Sequence, residues 1–587
     1  MNIVGYFAGI DPAACLLQDG RLVAYVEEER LIRYKHAPDV FPIRSIDFCL
    51  RQGGLKLADV DCFAYGWDVP RYTDGGMRAF FDRVNAEHPP DRATVGWQNG
   101  VLGWFSQASV DERLRQALVR FYGETRVPEQ RFFPHHASHA TTGFYGSSFD
   151  EALVFTVDGS GDSQCATLWV GRGGRLECIH QIEIPYSLGW FYAAITEFLG
   201  FDAYDGEYKV MGLAAYGREN QRLRAALEQV VPIAPDGFGY RLDPAYIHHG
   251  AHTFSDRFTD ALVELLGLAP RQGERPLEAI HEDLAFEAQR LLEERVLRLL
   301  AHFRERTRLT RLCIAGGVGL NVKMNSRVHK SGLFEEVFVF PIPSDSGSSI
   351  GAAMGIFQAR TGRRPDPLRH VFLGPAYSDQ EIELQVRSCG LAYRAPSDIA
   401  EDAAELLARG KVVAWFQGAM EGGPRALGGR SILADPRAIE SRDRVNAAIK
   451  FREYWRPFCP SLLAGAAPRL MRRAADAPYM ILAFDATPEA HAISPAVVHV
   501  DGTMRPQTVE EAANPRYFRL LQAFERRTGV PVLLNTSFNI KGEPVVCSPR
   551  DALRTFWSTG IDALAIGSCL IEKPETPLHL QPQDVIR

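Results

Sequence analysis

Short apolar runs open the chain, Ile3 to Ala8, Ala13 to Leu17 and Leu22 to Glu27. Their length predicts strands, and Gln18-Asp19-Gly20 between the last two is a hairpin signal. Ser45 to Gln52 has helical spacing, and Val60 to Tyr65 predicts another strand. From Pro70 to Arg126 the chain is polar and aromatic without a readable period, which predicts an irregular insertion. After Pro134 the opening layout returns. Ala137 to Phe144 predicts a helix, and Ala152 to Val157, Ala166 to Val170 and Leu176 to Glu183 predict strands, with Gly173-Gly174 as a turn.

A strand that ends in a carboxylate and is followed by hairpin strands thus occurs twice, at Asp11 and at Asp158. Such duplication is the layout of the actin, hexokinase and heat-shock ATPase superfold, which clamps a nucleotide between related halves. A long amphipathic helix is predicted over Glu278 to Arg304, leading into the strand Leu312 to Ala315. The glycine turn Gly316-Gly317-Val318-Gly319-Leu320-Asn321 follows, then the strand Val337 to Phe340 and a small-residue helix from Ile350 to Phe357, headed by Asp345. The polar, proline-bearing segment 361–369 is the best boundary, giving domains over 1–365 and 366–587. Beyond it, Ala403 to Arg409 reads as helix, and Val412 to Phe416 and Val530 to Leu534 as strands.

A chain of 587 residues is too long for one core. The formal charge of -7 argues against general nucleic-acid affinity and a tRNA-modifying role. The ten cysteines are scattered without a CxxC pair, as expected of a reduced cytoplasmic protein. We expect neither a signal peptide nor a membrane span, since no run approaches ~20 apolar residues.

Candidate chemistry centres on Pro134 to Asp162. His135 and His139 are four positions apart and share one face if Ala137 to Phe144 starts a helix, close enough to hold one ion. Packing is the bland alternative for such a pair. Asp158 at a strand end offers a third ligand and Asp345 a fourth, a mixed nitrogen and oxygen set that suits iron, zinc or manganese. No Glu follows the first His as HExxH needs, which argues against a zinc peptidase. Glycines in the 316–321 turn let a backbone approach a phosphorylated ligand, and Asn321 can reach a ribose or base. Arg425, Lys450, Arg452, Arg456 and Arg505 lie near glycine turns or among aromatics, and Asn535 begins the segment after Leu534. Together these cations read as a pocket for a small dianion.

The ordered motifs HHASHA, TVDGSGD, GEYKVMGLAAYG, AGGVGLN, PSDSGSSIGAA, EGGPRALGGRSILADPR, VNAAIKFREYWRPFCPSLL and LLNTSFNIKGEPVVCSPRDAL resemble the antibiotic and nodulation-factor O-carbamoyltransferases over nearly the whole chain. The resemblance implies an α/β fold. Its N-terminal domain is duplicated, actin/hexokinase-like and similar to threonylcarbamoyl transferases, and a YrdC-like α/β domain follows. It implies a two-step reaction, in which carbamoyl phosphate and ATP with Mg2+ give carbamoyl adenylate, and an acceptor hydroxyl or amine of a small secondary metabolite then displaces AMP. By the same resemblance His135, His139, Asp158 and Asp345 match an Fe2+ site. Gly159, Lys209, Gly316, Gly317 and Asn321 match the adenosine side, and Arg425, Lys450, Arg456, Arg505 and Asn535 the carbamoyl-phosphate and ATP pocket. A homodimer is compatible with this reading.

One departure stands out. The family usually places a histidine before the first-turn aspartate, where it could serve as general base, and here Ile10 precedes Asp11. Isoleucine cannot accept a proton. Either His36, His136 or Asp11 does that work, or the acceptor is more nucleophilic than a sugar hydroxyl, or transfer is impaired. Two other functions compete. A metabolite kinase of the same superfold would need no second basic region, and a nucleotide-dependent binding or regulatory module would need no base.

Overall fold

The computed structural model describes residues 1–123, 126–253, 255–273, 275–453 and 455–574. The first sheet comprises β1 (Asn2–Phe7), β2 (Ala13–Gln18), β3 (Arg21–Glu27), β4 (Cys62–Tyr65) and β5 (Glu129–Phe132), in the order β3-β2-β1-β4-β5. The second comprises β6 (Glu151–Gly161), β7 (Gln164–Arg172), β8 (Arg175–Glu183), β9 (Arg311–Ala315) and β10 (Glu336–Val339), in the order β10-β9-β6-β7-β8. Read from the matching edge, the two orders are the same. In each sheet the leading strand pairs antiparallel with its hairpin partner and parallel with the next strand on its other side. This is the duplicated actin/hexokinase-like architecture expected from the sequence. The β2–β3 turn forms because Asp19 and Gly20 both take positive φ, 50° and 91°, as a tight hairpin requires.

Two helices cross between the sheets. His135–Gly146 packs on β6 and β9, Asp345–Thr361 packs on β1, β2 and β4, and the pair pack on each other. Small residues permit the close crossing. Thr141 Oγ1 donates to the Gly351 carbonyl at 2.8 Å, and a Cβ on Gly351 would lie 1.9 Å from the Ser138 carbonyl oxygen. Backbone cannot yield that far, so Gly351→Ala is expected to cost about 3 kcal/mol or more, read as a lowered denaturation midpoint. Because these helices carry His135, His139 and Asp345, the crossing also sets the geometry of the site.

The stretch expected to be irregular is helical. Val69–Thr73, Gly76–Glu87, Arg92–Trp104 and Gln107–Tyr122 follow one another. Met77, Phe80, Phe81 and Val84 bury one face of the second. Asp91 and Ser106 cap the third and fourth by accepting from Thr94 N and Ser109 N. Exposed apolar residues, among them Val95, Trp104 and Phe121, hid the helical period.

The C-terminal part is a second α/β body. Its seven-stranded mixed sheet runs Gln507–Val509, Cys459–Leu463, Val532–Ser537, Arg430–Ala434, Val413–Phe416, Ala563–Ile566, Cys569–Glu572. It is stitched to the first body by buried and partly buried polar contacts. Gly423 N donates to Glu27 Oε1 at 2.7 Å, Arg30 Nη2 donates to the Gly423 carbonyl at 3.1 Å, and Arg33 Nη2 donates to the Pro544 carbonyl at 2.8 Å. Among the described residues no helix is long and apolar enough to cross a membrane. The cysteines are free thiols.

Candidate active site

His135 and His139 lie in the first two turns of their helix and point the same way, with their Nε2 atoms 3.1 Å apart. Asp158, near the end of β6, places Oδ2 3.0 Å from His139 Nε2 and 3.7 Å from His135 Nε2. Asp345, in the first turn of its helix, places Oδ1 3.5 Å and 3.6 Å from the same two nitrogens. All four ligand atoms lie within 4.8 Å of one another. Both imidazoles are buried, and the ring edge of His135 is fixed from behind by Nδ1 against the Gly66 carbonyl at 3.3 Å. Burial works against charge on His135, and Asp345 and Asp158 outweigh it, so its pKa stands well above the usual histidine value. Asp158 is likewise opposed by burial and held well below the carboxylate range by His135 and His139.

This donor set fits a divalent ion. Buried Asp158 Oδ2 faces the two imidazoles without hydrogen-bond geometry to any described group. Two nitrogens and two carboxylate oxygens suit iron, manganese or zinc and leave room for further oxygen ligands.

The glycine turn follows β9 beside Asp158. Gly316 has φ 93°, and a Cβ there would lie 2.3 Å from the Val157 carbonyl oxygen, so only glycine fits. Asn321 is already engaged. Its Oδ1 caps the helix Val322–Ser331 by accepting from Met324 N at 2.9 Å, and its amide pairs with Gln289 at 2.9 and 3.0 Å. Gly159 follows Asp158 directly, its N donating to Asp158 Oδ1 at 2.7 Å. Lys209 lies 3.5 Å from Glu453 Oε1 and over the Phe201 ring.

The cations of the C-terminal body converge. Arg425, Lys450, Arg452, Arg456, Arg505 and Asn535 all line the cavity that Asp158 and Asp345 line, a continuous space of about 1330 Å³. Lys450 Nζ donates to the carbonyls of Ser537 and Asn539 at 2.8 and 2.9 Å. Burial, and then Arg452 and Arg456, pull its pKa well down. Burial and Arg505 pull Arg425 down to about 9, and burial and Arg456 do the same to Arg452. Positive groups crowded this way, with Glu453 the carboxylate beside Arg456, are short of anions.

The three groups weighed as replacements for a base at Ile10 separate clearly. His36 Nδ1 is 2.7 Å from Asp11 Oδ1 and its Nε2 is 3.7 Å from Asp205 Oδ1. The hydrogen bond to Asp11 and the nearby Asp205 carboxylate push His36 up to about 10, so at neutral pH it is an imidazolium that only donates. His136 is fully buried against Thr156 Oγ1 at 2.7 Å, and it does not line the cavity. Burial and its histidine neighbours keep it neutral. Asp11 lines the cavity, with φ 62°.

Sequence reasoning assigned no role to three neighbours. Asp162 lines the cavity, accepts from His135 N at 2.9 Å and Asp68 N at 3.1 Å, and is pushed up to about 6 by burial. It closes the TVDGSGD motif, and that position was its only signal. Arg505 donates to Cys459 Sγ through Nε at 2.9 Å and Nη2 at 2.7 Å, placing a thiol among the cations. The ring of Trp67 packs 4.7 Å from that of His135.

Comparison with known proteins agrees with this layout. A family profile described as Carbamoyltransferase N-terminus matches residues 3–354, and one described as Carbamoyltransferase C-terminus matches 404–573. An uncharacterized protein of Synechocystis is 36% identical over 607 residues, covering 98% of this chain and 97% of that protein. Nodulation protein NolNO of Sinorhizobium fredii is 37% identical, covering 96% and 79%. Nodulation protein NolO of Bradyrhizobium diazoefficiens is 40% identical, covering 76% and 80%. With two profiles spanning both bodies and relatives aligned over most of their own lengths, the chain belongs to the carbamoyltransferase family.

Proposed function

We propose that the protein is an ATP-dependent carbamoyltransferase with labour divided between residues 1–365 and 366–587. The observation that carries this reading is the shared cavity, which joins a crowd of cations at one side to the His135, His139, Asp158 and Asp345 cluster at the other. In the cationic part, Arg425, Arg456 and Arg505 hold the phosphates of carbamoyl phosphate and of ATP with its Mg2+. A water oxygen bonds to the phosphorus of carbamoyl phosphate and the bond from phosphorus to the carbamoyl oxygen breaks, giving inorganic phosphate and carbamate. A carbamate oxygen bonds to the α-phosphorus of ATP, and pyrophosphate leaves. The resulting carbamoyl adenylate crosses inside the cavity and need not be released to bulk solvent, which limits hydrolysis of an activated acyl group.

His135, His139, Asp158 and Asp345 would hold a divalent ion, Fe2+ on the family resemblance, which polarises phosphate oxygens as a Lewis acid when bound. The turn at Gly316 and Gly317 lets the adenylate approach the backbone. The acceptor hydroxyl oxygen bonds to the carbamoyl carbon, the carbon–oxygen bond to phosphate breaks, and AMP departs. Asp11 takes the hydroxyl proton, since His36 already carries one and His136 lies outside the cavity. His36 holds Asp11 in place and adds positive charge where negative charge builds.

Incubation of the full chain with ATP and carbamoyl phosphate tests the first half. Pyrophosphate release that requires carbamoyl phosphate is the expected result. Its absence, with the metal loaded and an active control run alongside, would remove the reading.

A further inference from the structure

One wall of the cavity takes no part in the steps above. From the Trp67 ring beside His135, the Phe105 ring lies 5.7 Å away, and from Phe105 the Tyr72 and Trp104 rings lie 4.8 and 5.5 Å away. Trp97 packs 6.0 Å from Phe81 on the same wall. All of these residues line the cavity. The rings therefore run from the ion-binding cluster outward to solvent, where Trp104 is 56% exposed.

Most of them come from the four-helix insertion. Tyr72, Phe81 and Trp97 sit on three successive helices, and Trp104 and Phe105 end the third. Tyr72, Phe81 and Phe105 are 5–8% exposed and back the wall from the core, so Trp67, Trp97 and Trp104 supply its accessible aromatic surface, which suits a ligand held there. Its chemistry is opposite to that of the cationic side. A carbohydrate or polyamine would meet the rings through C–H faces or cation–π contacts and brings less apolar surface to shed there than a flat aromatic ligand does. A flat aromatic ligand would instead shed water and gain offset or edge-to-face contacts.

We propose that the carbamoyl acceptor is an aromatic alcohol, its ring system seated among Trp67, Tyr72, Trp97, Trp104 and Phe105 and its hydroxyl at the His135–Asp158 cluster. This names the acceptor of the reaction proposed above and rests on that reading. The hydroxyl oxygen bonds to the carbamoyl carbon, AMP leaves with the electrons of the broken carbon–oxygen bond, and the proton goes to Asp11.

The test uses the full chain with 2-naphthylmethanol and, in a parallel arm, glucosamine. Binding is read by equilibrium dialysis and carbamoyl addition by mass. Pyrophosphate release is followed in the same preparations. The naphthyl alcohol is expected to bind and to be carbamoylated, with binding weakened roughly three- to tenfold by Trp104→Ala and by Trp97→Leu. Trp557→Ala, an exposed tryptophan outside the cavity, leaves binding unchanged. Preferential binding and carbamoylation of glucosamine would overturn the proposal, as would naphthyl binding indifferent to both cavity variants. If either result comes with intact pyrophosphate release, the acceptor class falls and the transferase reading stands. Tryptophan-dependent naphthyl binding without pyrophosphate release keeps the aromatic site and removes the activity.

Discussion

Replacing His139 with alanine is expected to strip the protein of its ion and to cut carbamoyl transfer about 1000-fold, as loss of several kcal/mol of charge stabilisation implies. Pyrophosphate release that depends on carbamoyl phosphate should persist, because the cationic residues belong to the other body. Elemental analysis of the purified variant and mass detection of the product check the two halves. His139 is buried, so a melting curve belongs beside them, and His139→Gln keeps the volume while weakening ligation. Full metal retention in a folded His139→Ala would contradict the assignment of the cluster.

Arg456→Ala should do the reverse. The guanidinium lies over the Tyr208 ring and 3.7 Å from Glu453, so its fork is poised rather than locked into a close pair. Loss of charge-assisted bonds to a phosphate is worth about 1.5–3 kcal/mol, hence roughly 10- to 100-fold in kcat/KM for carbamoyl phosphate. Metal content should not change. Arg456→Lys restores charge without the planar fork, and is expected to recover only part of the loss. Normal pyrophosphate release in Arg456→Ala would remove this residue from the anion pocket.

The strands and glycine turns were legible because they depend on local signals. The run Ala152 to Val157 and the Asp19-Gly20 turn announce themselves within a few residues, and the repeated hairpin gave the duplicated fold. The helices over 69–122 were hidden because apolar residues such as Val95, Trp104 and Phe121 stay exposed and blur the amphipathic period. Among site residues, His135 and His139 are paired by helical spacing. Asp345 joins them only through the crossing of two helices distant in sequence. What the sequence could not carry is environment. Asn321 is free in a one-dimensional reading and is spent as a helix cap in three dimensions. His36 looks like a base until Asp205, far along the chain, is brought to its second nitrogen.

The single cavity has a kinetic consequence on the proposed reading. One molecule confined to about 1330 Å³ is at an effective concentration of about 1 M. An adenylate born there presses on a bound acceptor as hard as a molar reagent in a flask would, and the same enzyme turning over with an empty acceptor seat would expose that reagent to whatever water leaks in. Occupancy of the aromatic wall, rather than speed of activation, would then govern how much ATP is wasted per product made.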